Sequence, residues 1–77
     1  MKVVTFYTKE NCPLCEKGLK LLEKVQLEEP FQIEVIDIYQ DDELLAKYQI
    51  KIPVIAVGED EIDCGIISYN TLRKRLL

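Results

Sequence analysis

The chain has 77 residues, of which 48% are hydrophobic and 31% are charged, and its formal net charge at pH 7 is −4. This length and composition predict one folded domain over residues 1–77 and argue against a disordered chain. The acidic balance argues against nucleic acid as a partner, because binding it requires clustered Lys and Arg. The basic run at 73–75 is interpreted as complementing the carbonyl end of a last helix.

The sequence indicates neither a membrane partner nor export. It lacks the run of about 20 apolar residues that a membrane-spanning helix needs. Polar residues also interrupt the charged-then-apolar pattern of a signal peptide near the N-terminus. We therefore expect a cytoplasmic protein. In that reducing compartment three cysteines do not make a structural disulfide framework, so a close pair indicates redox or metal chemistry.

The N-terminal half of the chain predicts a strand, a helix and a second strand. Residues 2–8 are rich in Val, Thr, Phe and Tyr, as strands are. A helix is predicted from Pro13 to about Leu27, because Pro suits a first helical turn. Pro30 prevents its continuation, and residues 31–38 form the next strand. The apolar positions expected on one face of the helix are Leu14, Gly18, Leu21, Leu22 and Val25.

The C-terminal half predicts a short helix, a hairpin and a last helix. Acidic residues 41–43 suit the first turn of the short helix. Strands at 53–57 and about 61–66 flank a turn at Gly58, and Ser68 is predicted to cap the last helix. The side chains expected to point inward are Leu44, Leu45, Tyr48, Tyr69, Leu72 and Leu76. The order β-α-β-α-β-β-α predicts an α/β, thioredoxin-like fold, with a four-stranded mixed sheet flanked by helices.

The chemistry is expected at Cys12-Pro13-Leu14-Cys15, between the first strand and the first helix. Two thiols at this spacing can close into a disulfide and reopen with little backbone movement. The helix N-terminus favours the thiolate of Cys12, and Lys9 adds positive charge. Cys12 is therefore predicted to be the nucleophile and Cys15 the more buried resolving thiol. These roles predict an enzyme, a thiol–disulfide oxidoreductase that reduces protein or low-molecular-weight disulfides.

Other uses of the pair are weighed beside this one. No metal site is predicted, because zinc prefers four N or S ligands and the chain has no His and one further Cys. The structural alternative is a pair of buried thiols that take part in no reaction. Two functional alternatives stay open. One is a [2Fe–2S] carrier in which two chains use Cys12 and external thiols, and the other is a non-enzymatic thioredoxin-fold binding module.

Two further positions are singled out. A cis bond at Ile52–Pro53 would bring residues 51–53 beside the dithiol, with the N–H and C=O of Ile52 free to pair with an extended peptide or glutathione. The residues alone favour a trans bond, since only about 5–6% of X–Pro bonds are cis. Cys64 alternates with Ile62 and Ile66, which predicts a buried, inert thiol; a third redox thiol is the alternative.

Three segments of the chain, residues 6–15, 35–38 and 52–55, resemble the glutaredoxin family, and the run at 42–48 is most similar to its small bacterial glutaredoxin-like branch. The resemblance covers nearly the whole chain. It implies a thioredoxin fold, Cys12 as nucleophile, Cys15 as resolving thiol and Pro53 as a cis proline. It also implies that Lys9 contacts a glutathione carboxylate. The residues expected to contact the substrate are thus Lys9, Pro13, Leu14, Ile52 and Pro53.

The resemblance leaves the electron donor open between glutathione and a reductase. Typical members carry a Gly-Gly-(Cys/Ser)-Asp turn that holds the glutamyl end of glutathione, whereas residues 63–68 read Asp-Cys-Gly-Ile-Ile-Ser. Leu14 also replaces the usual aromatic residue between the cysteines. We expect no tightly bound cofactor, and a monomer that acts on a disulfide-containing protein or a small-thiol substrate.

Overall fold

The computed structural model describes residues 2–77. The order of strands and helices is the predicted one, with one additional 3-10 turn. The elements are β1 (Val3–Thr8), α1 (Pro13–Gln26), β2 (Gln32–Asp37), a 3-10 turn (Ile38–Gln40), α2 (Asp42–Tyr48), β3 (Val54–Val57), β4 (Asp60–Cys64) and α3 (Tyr69–Leu76). None of the helices within 2–77 combines the length and the apolar character that crossing a bilayer demands.

The four strands form one mixed sheet in the order β2-β1-β3-β4. β1 pairs with β2 in parallel and with β3 antiparallel, and β3 pairs antiparallel with β4. The parallel register places Thr8, the last residue of β1, beside Asp37, the last residue of β2. The loop that leads to the two cysteines therefore starts where the carboxyl ends of both strands meet.

The larger core fills the space between the sheet and helices α1 and α3. Its fully buried side chains are Val4, Phe6, Leu22, Val25, Ile55 and Leu72. The buried row of α1 consists of Cys15, Gly18, Leu22 and Val25. The prediction that Leu14 belongs to this row is wrong, because Cys15 occupies the position one turn before Gly18 and leaves Leu14 42% exposed.

A smaller core covers the other face of the sheet under α2. Ile38, Tyr48 and Val54 are buried there. The rings of Tyr7 and Tyr48 stack with their centroids 4.6 Å apart. Ile38 extends no strand, because the carboxylate of Asp37 accepts the N–H of Tyr39 at 2.9 Å and starts the 3-10 turn. The second strand is therefore shorter than predicted.

Hydrogen bonds link helix α3 to the residues just after α1 and to the residue just before β1. Ser68 caps it by accepting the N–H of Thr71 at 3.3 Å. The carboxylate of Glu28, just beyond α1, accepts hydrogen bonds from the Tyr69 hydroxyl and the Arg73 guanidinium. At the other end of α3, the Lys2 ammonium donates to the carbonyl of Leu76 at 2.9 Å. These contacts fix α3 on the same side of the sheet as α1.

Candidate active site

The cysteine pair lies at the N-terminus of α1. Cys12 is the N-cap residue, with an extended backbone (φ −121°, ψ 99°), and Pro13 is the first helical residue. Pro fits there because the first N–H groups of a helix have no partner within the helix. Just before the cap, Asn11 has φ 54°, a left-handed conformation that Asn tolerates better than most residues. This turn directs the chain from β1 into the helix.

The two sulfurs are bonded to each other, and the Cα atoms of Cys12 and Cys15 are 5.1 Å apart. The N–H of Cys15 donates to the Sγ atom of Cys12 over 3.2 Å. Cys12 is 9% exposed and Cys15 3% exposed, so Cys12 is the more accessible of the two. Pro13 and Leu14, between them, are exposed. The pair can therefore exist as a disulfide, and Cys12 is the slightly more exposed of its two members.

Pro53 lies buried at the start of β3, and its peptide bond with Ile52 is cis. The prediction that the N–H of Ile52 is free is wrong, because it donates to the carbonyl of Tyr48 at 3.1 Å. The chain leaves α2 in a tight turn, and the Ile52 N–H forms one of the hydrogen bonds of this turn. Among the hydrogen bonds formed within residues 2–77, none has the Ile52 carbonyl as its acceptor.

Two neighbours hold this segment in place. The N–H of Gly65 donates to the carbonyls of both Lys51 (3.0 Å) and Pro53 (2.8 Å). On the opposite side, Gly18 of α1 packs against Pro53, and a Cβ atom at position 18 would lie 3.2 Å from Pro53 Cγ. Since Gly18 lies one helical turn after Cys15, this contact brings Pro53 close to the start of the dithiol helix.

Lys9 borders two adjoining surface cavities beside the dithiol. The smaller, about 200 Å³, reaches the sulfur-bearing residues Cys12 and Cys15. The larger, about 460 Å³, extends from Lys9 past Asp37. We refer to the two together as the dithiol groove. Its remaining lining residues are Phe6, Thr8, Glu10, Asn11, Glu16, Leu19, Val35 and Tyr39.

Cys64 is exposed, so the prediction of a buried thiol is wrong. The pairing of β3 with β4 shifts between Ile55 and Ala56, which leaves Ile62 as an extra residue in β4. This bulge interrupts the alternation on which the prediction relied. Ile62 is buried, but β4 ends at Cys64, and Ile66 beyond it is 83% exposed.

Sequence reasoning missed three parts of the site. The left-handed turn at Asn11 had a weak signal, since Asn is enriched in such turns. Asp37 and Tyr39 had only an indirect signal, because the predicted β-α-β order makes β1 and β2 parallel and so brings the end of β2 to the edge of the sheet where Lys9 follows β1. Within residues 2–77, no three His, Cys, Asp or Glu side chains are grouped closely enough to hold a metal ion.

Solved structures with thioredoxin-like folds resemble this one. Protein Ne2328 from Nitrosomonas europaea is 29% identical, with a TM-score of 0.82 over 96% of this chain and 89% of that one. Target protein XcR50 from X. campestris is 22% identical, with a TM-score of 0.80 over 95% and 93% of the two chains. Thioredoxin 1 from Thermosipho africanus is 19% identical, with a TM-score of 0.61 over 96% and 93%. The predicted thioredoxin-like fold is confirmed.

The family of the chain follows from its sequence. A search of curated proteins found no match. Residues 3–77 match the family model of the glutaredoxin-like domain (DUF836). The match takes in both cysteines, Pro53 and all four strands, and it confirms the predicted resemblance. The chain belongs to the glutaredoxin-like domain (DUF836) family.

Proposed function

We propose that the protein is a thiol–disulfide oxidoreductase that reduces protein or low-molecular-weight disulfides through Cys12 and Cys15. The observation that carries this proposal is the pair of sulfurs bonded at the N-terminus of α1, with Cys12 the more exposed. The glutaredoxin-like family and the thioredoxin-like fold support it. The reaction needs no tightly bound cofactor.

In the proposed reaction, the reduced pair transfers two electrons to a substrate disulfide. The Cys12 thiolate attacks one substrate sulfur, the substrate S–S bond breaks, and the departing thiolate takes a proton from water. Cys15 then loses its proton and attacks Cys12 Sγ, which releases the second substrate thiol and forms the Cys12–Cys15 disulfide. An external thiol donor, either glutathione or a reductase, returns the two electrons.

The surroundings of Cys12 suit the attacking role. A sulfur at a helix N-cap faces unpaired N–H groups, and the N–H of Cys15 already donates to it over 3.2 Å. These donors stabilise a thiolate more than a thiol. Cys15 is more buried, and its sulfur is bonded to that of Cys12. The geometry thus supports Cys12 as the nucleophile and Cys15 as the resolving thiol.

The proposed substrate contacts flank the exposed side of the pair. Pro13 and Leu14 are exposed between the cysteines, and Lys9 lies at the rim of the dithiol groove. On the Pro53 side, only the Ile52 carbonyl remains as a backbone partner, because the N–H is already used. We therefore propose that a bound peptide donates one N–H to Ile52 rather than forming a pair of hydrogen bonds with it. The proposed compartment is the cytoplasm, and the proposed acting species is a monomer.

The test is a glutathione redox titration with acid quench, alkylation and mass analysis, in a Cys64→Ser background that removes the exposed third thiol. We expect Cys12 and Cys15 to lose two hydrogens together, with a midpoint between about −200 and −270 mV. Cys15→Ser should accumulate a mixed disulfide on Cys12, and Cys12→Ser should accumulate none on Cys15. A pair that stays reduced throughout the titration would contradict the proposal and favour the cluster-carrier or binding-module alternative.

A further inference from the structure

We propose that the dithiol groove selects disulfides flanked by Lys or Arg, so that the substrate is a basic peptide segment of a protein rather than glutathione disulfide. This inference rests on the proposed function and names its substrate class. It is carried by the position of the groove, by the charges that line it and by the exposed apolar side chains in the same lining.

The groove begins at the reacting sulfurs. Its smaller cavity is lined by both Cys12 and Cys15, and the larger one adjoins it through Lys9, Glu10 and Asn11, which border both. The two cavities follow the carboxyl ends of β1 and β2 as far as Asp37. A residue next to a substrate cysteine that docks on Cys12 would therefore enter the groove.

The lining of the groove is acidic. It contains one cation, Lys9, and three carboxylates, Glu10, Glu16 and Asp37. The two ion pairs formed among residues 2–77 are Lys51–Glu61 and Arg73–Glu28, so none of the four groove charges is taken up by an ion pair. The groove therefore presents two more negative than positive charges to whatever enters it.

Asp37 is the most firmly placed of these carboxylates. Its Oδ1 atom accepts the N–H of Tyr39 at 2.9 Å, which fixes the side chain at the end of β2. Within residues 2–77, no hydrogen bond is made to its Oδ2 atom. A carboxylate held by one oxygen and open at the other can accept a charge-assisted hydrogen bond from an ammonium or guanidinium group.

The groove also has exposed apolar surface in each of its two cavities. Val35 is 54% exposed and Tyr39 is 59% exposed, although both are large side chains. Val35 lines the cavity that contains Cys15, and Tyr39 lines the cavity that contains Asp37. The long stem of Lys or Arg can pack along such a surface while its charged head reaches a carboxylate, and a tyrosine ring also attracts the head.

Glutathione disulfide fits this lining poorly. Each half carries two carboxylates and one ammonium group, so it would bring more negative than positive charge to a groove that has Lys9 as its one cation. Repulsion between like charges at an interface weakens the binding of an anionic partner such as glutathione disulfide. Complementary charges raise the association rate of a cationic one. The groove thus favours cationic over anionic substrates at the encounter step.

The experiment compares three synthetic peptides that contain the same disulfide and differ only in flanking Lys, Gln or Glu residues. The second-order rate at which each oxidises the reduced Cys64→Ser protein is measured by stopped flow, with glutathione disulfide as a fourth substrate. We expect the order Lys, Gln, Glu, with the Lys and Glu peptides differing by about tenfold at low salt. The difference should shrink towards zero at about 1 M salt.

Charge-neutralising variants test which residues are responsible. Asp37→Asn and Glu10→Gln should each reduce the Lys-to-Glu rate ratio by about twofold to threefold. Asn still caps the 3-10 turn, so the first variant keeps the local fold. Glu59→Gln makes the same charge change in the β3–β4 turn, at the opposite end of the sheet, and should leave the ratio unchanged.

The outcomes separate this inference from the proposed function. Equal rates for the three peptides, a preference for Glu, or equal effects of Glu59→Gln and Asp37→Asn would overturn the basic-substrate inference and leave the oxidoreductase proposal standing. Faster reaction with glutathione disulfide than with the Lys peptide would overturn it too. If no peptide oxidises Cys12 and Cys15, the proposed function fails and the inference fails with it.

Discussion

Gly18 of the dithiol helix and Pro53 at the start of β3 are in direct contact. A Cβ atom at position 18 would lie 3.2 Å from Pro53 Cγ and 2.9 Å from Cγ1 of Ile67. No residue other than Gly therefore fits there without displacing a neighbour. Gly is unfavourable inside a helix by about 1 kcal/mol relative to Ala, so its presence indicates that close packing here outweighs helix propensity.

Gly18→Ala should destabilise the protein although Ala is the better helix former. Overpacking a core costs roughly 1–3 kcal/mol, and helix propensity returns about 1 kcal/mol, so we expect a net loss of about 1 kcal/mol, and of at most about 2 kcal/mol, in the free energy of unfolding. Urea unfolding measures it. Lys17→Ala, on the exposed side of the same helix, is the matched control and should change stability by less than about 0.5 kcal/mol. A Gly18→Ala protein as stable as the parent would contradict the packing argument.

A pair of leucines tests where the core of α1 lies. Leu22 is fully buried, whereas Leu27, at the end of the same helix, is largely exposed. Leu22→Ala should lower the free energy of unfolding by about 2–5 kcal/mol, because it leaves a cavity in the larger core. Leu27→Ala makes the same chemical change at the surface and should have an effect below about 0.5 kcal/mol. Similar losses for both variants in a urea titration would count against this assignment.

The left-handed backbone at Asn11 predicts an unusual substitution pattern. Gly adopts a φ near 54° without strain, whereas a Cβ-bearing residue in this region costs roughly 1–2 kcal/mol. Asn11→Gly should therefore be at least as stable as the parent, and Asn11→Ala should be about 1 kcal/mol less stable than Asn11→Gly. Thermal unfolding of the oxidised proteins compares them. If Asn11→Ala proves the more stable of the two, the backbone at position 11 is not left-handed.

Glu28 predicts a stability effect that depends on pH. Hydrogen bonds from the Tyr69 hydroxyl and then from Arg73 hold the pKa of Glu28 below its ordinary value of 4.5. A carboxylate with a lowered pKa in the folded state stabilises the protein above its unfolded pKa, and this contribution disappears as pH falls through the folded pKa. Glu28→Gln should therefore lower Tm at neutral pH, and this effect should shrink below pH 4.5 and disappear as pH falls through the folded pKa.

Glu29→Gln is the control for this prediction. Glu29 is the exposed neighbour of Glu28 and takes part in neither ion pair of the described chain. Its substitution should leave Tm unchanged across the pH range. Thermal unfolding followed by circular dichroism, from neutral pH to about pH 3, compares the Tm of the two variants with that of the parent. A Glu28→Gln effect that stays constant with pH would show that the carboxylate charge is not its source.

Cys64 should react readily although the other two cysteines do not. In the oxidised protein Cys64 is the free thiol and is exposed. An aromatic disulfide reagent should therefore label one thiol per chain without denaturant, and Cys64→Ser should abolish the signal. The same variant should change the free energy of unfolding by less than about 0.5 kcal/mol, as surface substitutions do. Labelling that appears only after unfolding would mean that Cys64 is buried.

The order of elements and the dithiol could be predicted because both are local. Hydrophobic periodicity, Pro13 at a first helical turn and Ser68 at a helix cap depend on neighbours in sequence, and the structure has each of them. The errors arise where distant segments meet. The bulge at Ile62 exposes Cys64, and the turn after α2 uses the Ile52 N–H. Neither strand register nor the path of a turn can be derived from alternation alone.

The groove charges show the same limit. The sequence predicts Lys9 near Cys12 because only three positions separate them in the chain. Asp37 lies far from Lys9 and Cys12 in sequence, and the parallel pairing of β1 with β2 brings it to the groove. The sequence next to the two cysteines contains Glu10 and Glu16. It does not contain Asp37, which reaches the groove only because the β1-α1-β2 connection places β2 beside β1.

The hydrogen bond from Lys2 to the Leu76 carbonyl brings the two ends of the described chain together, away from the dithiol. A short Gly/Ser linker could therefore connect them, and new termini could be opened in the Gly58–Glu59 turn, at the far end of the sheet from Cys12. In such a circular permutant β4 and α3 would precede β1. The segment from β1 through β3, with Cys12, Cys15 and Pro53, would remain one uninterrupted stretch of chain.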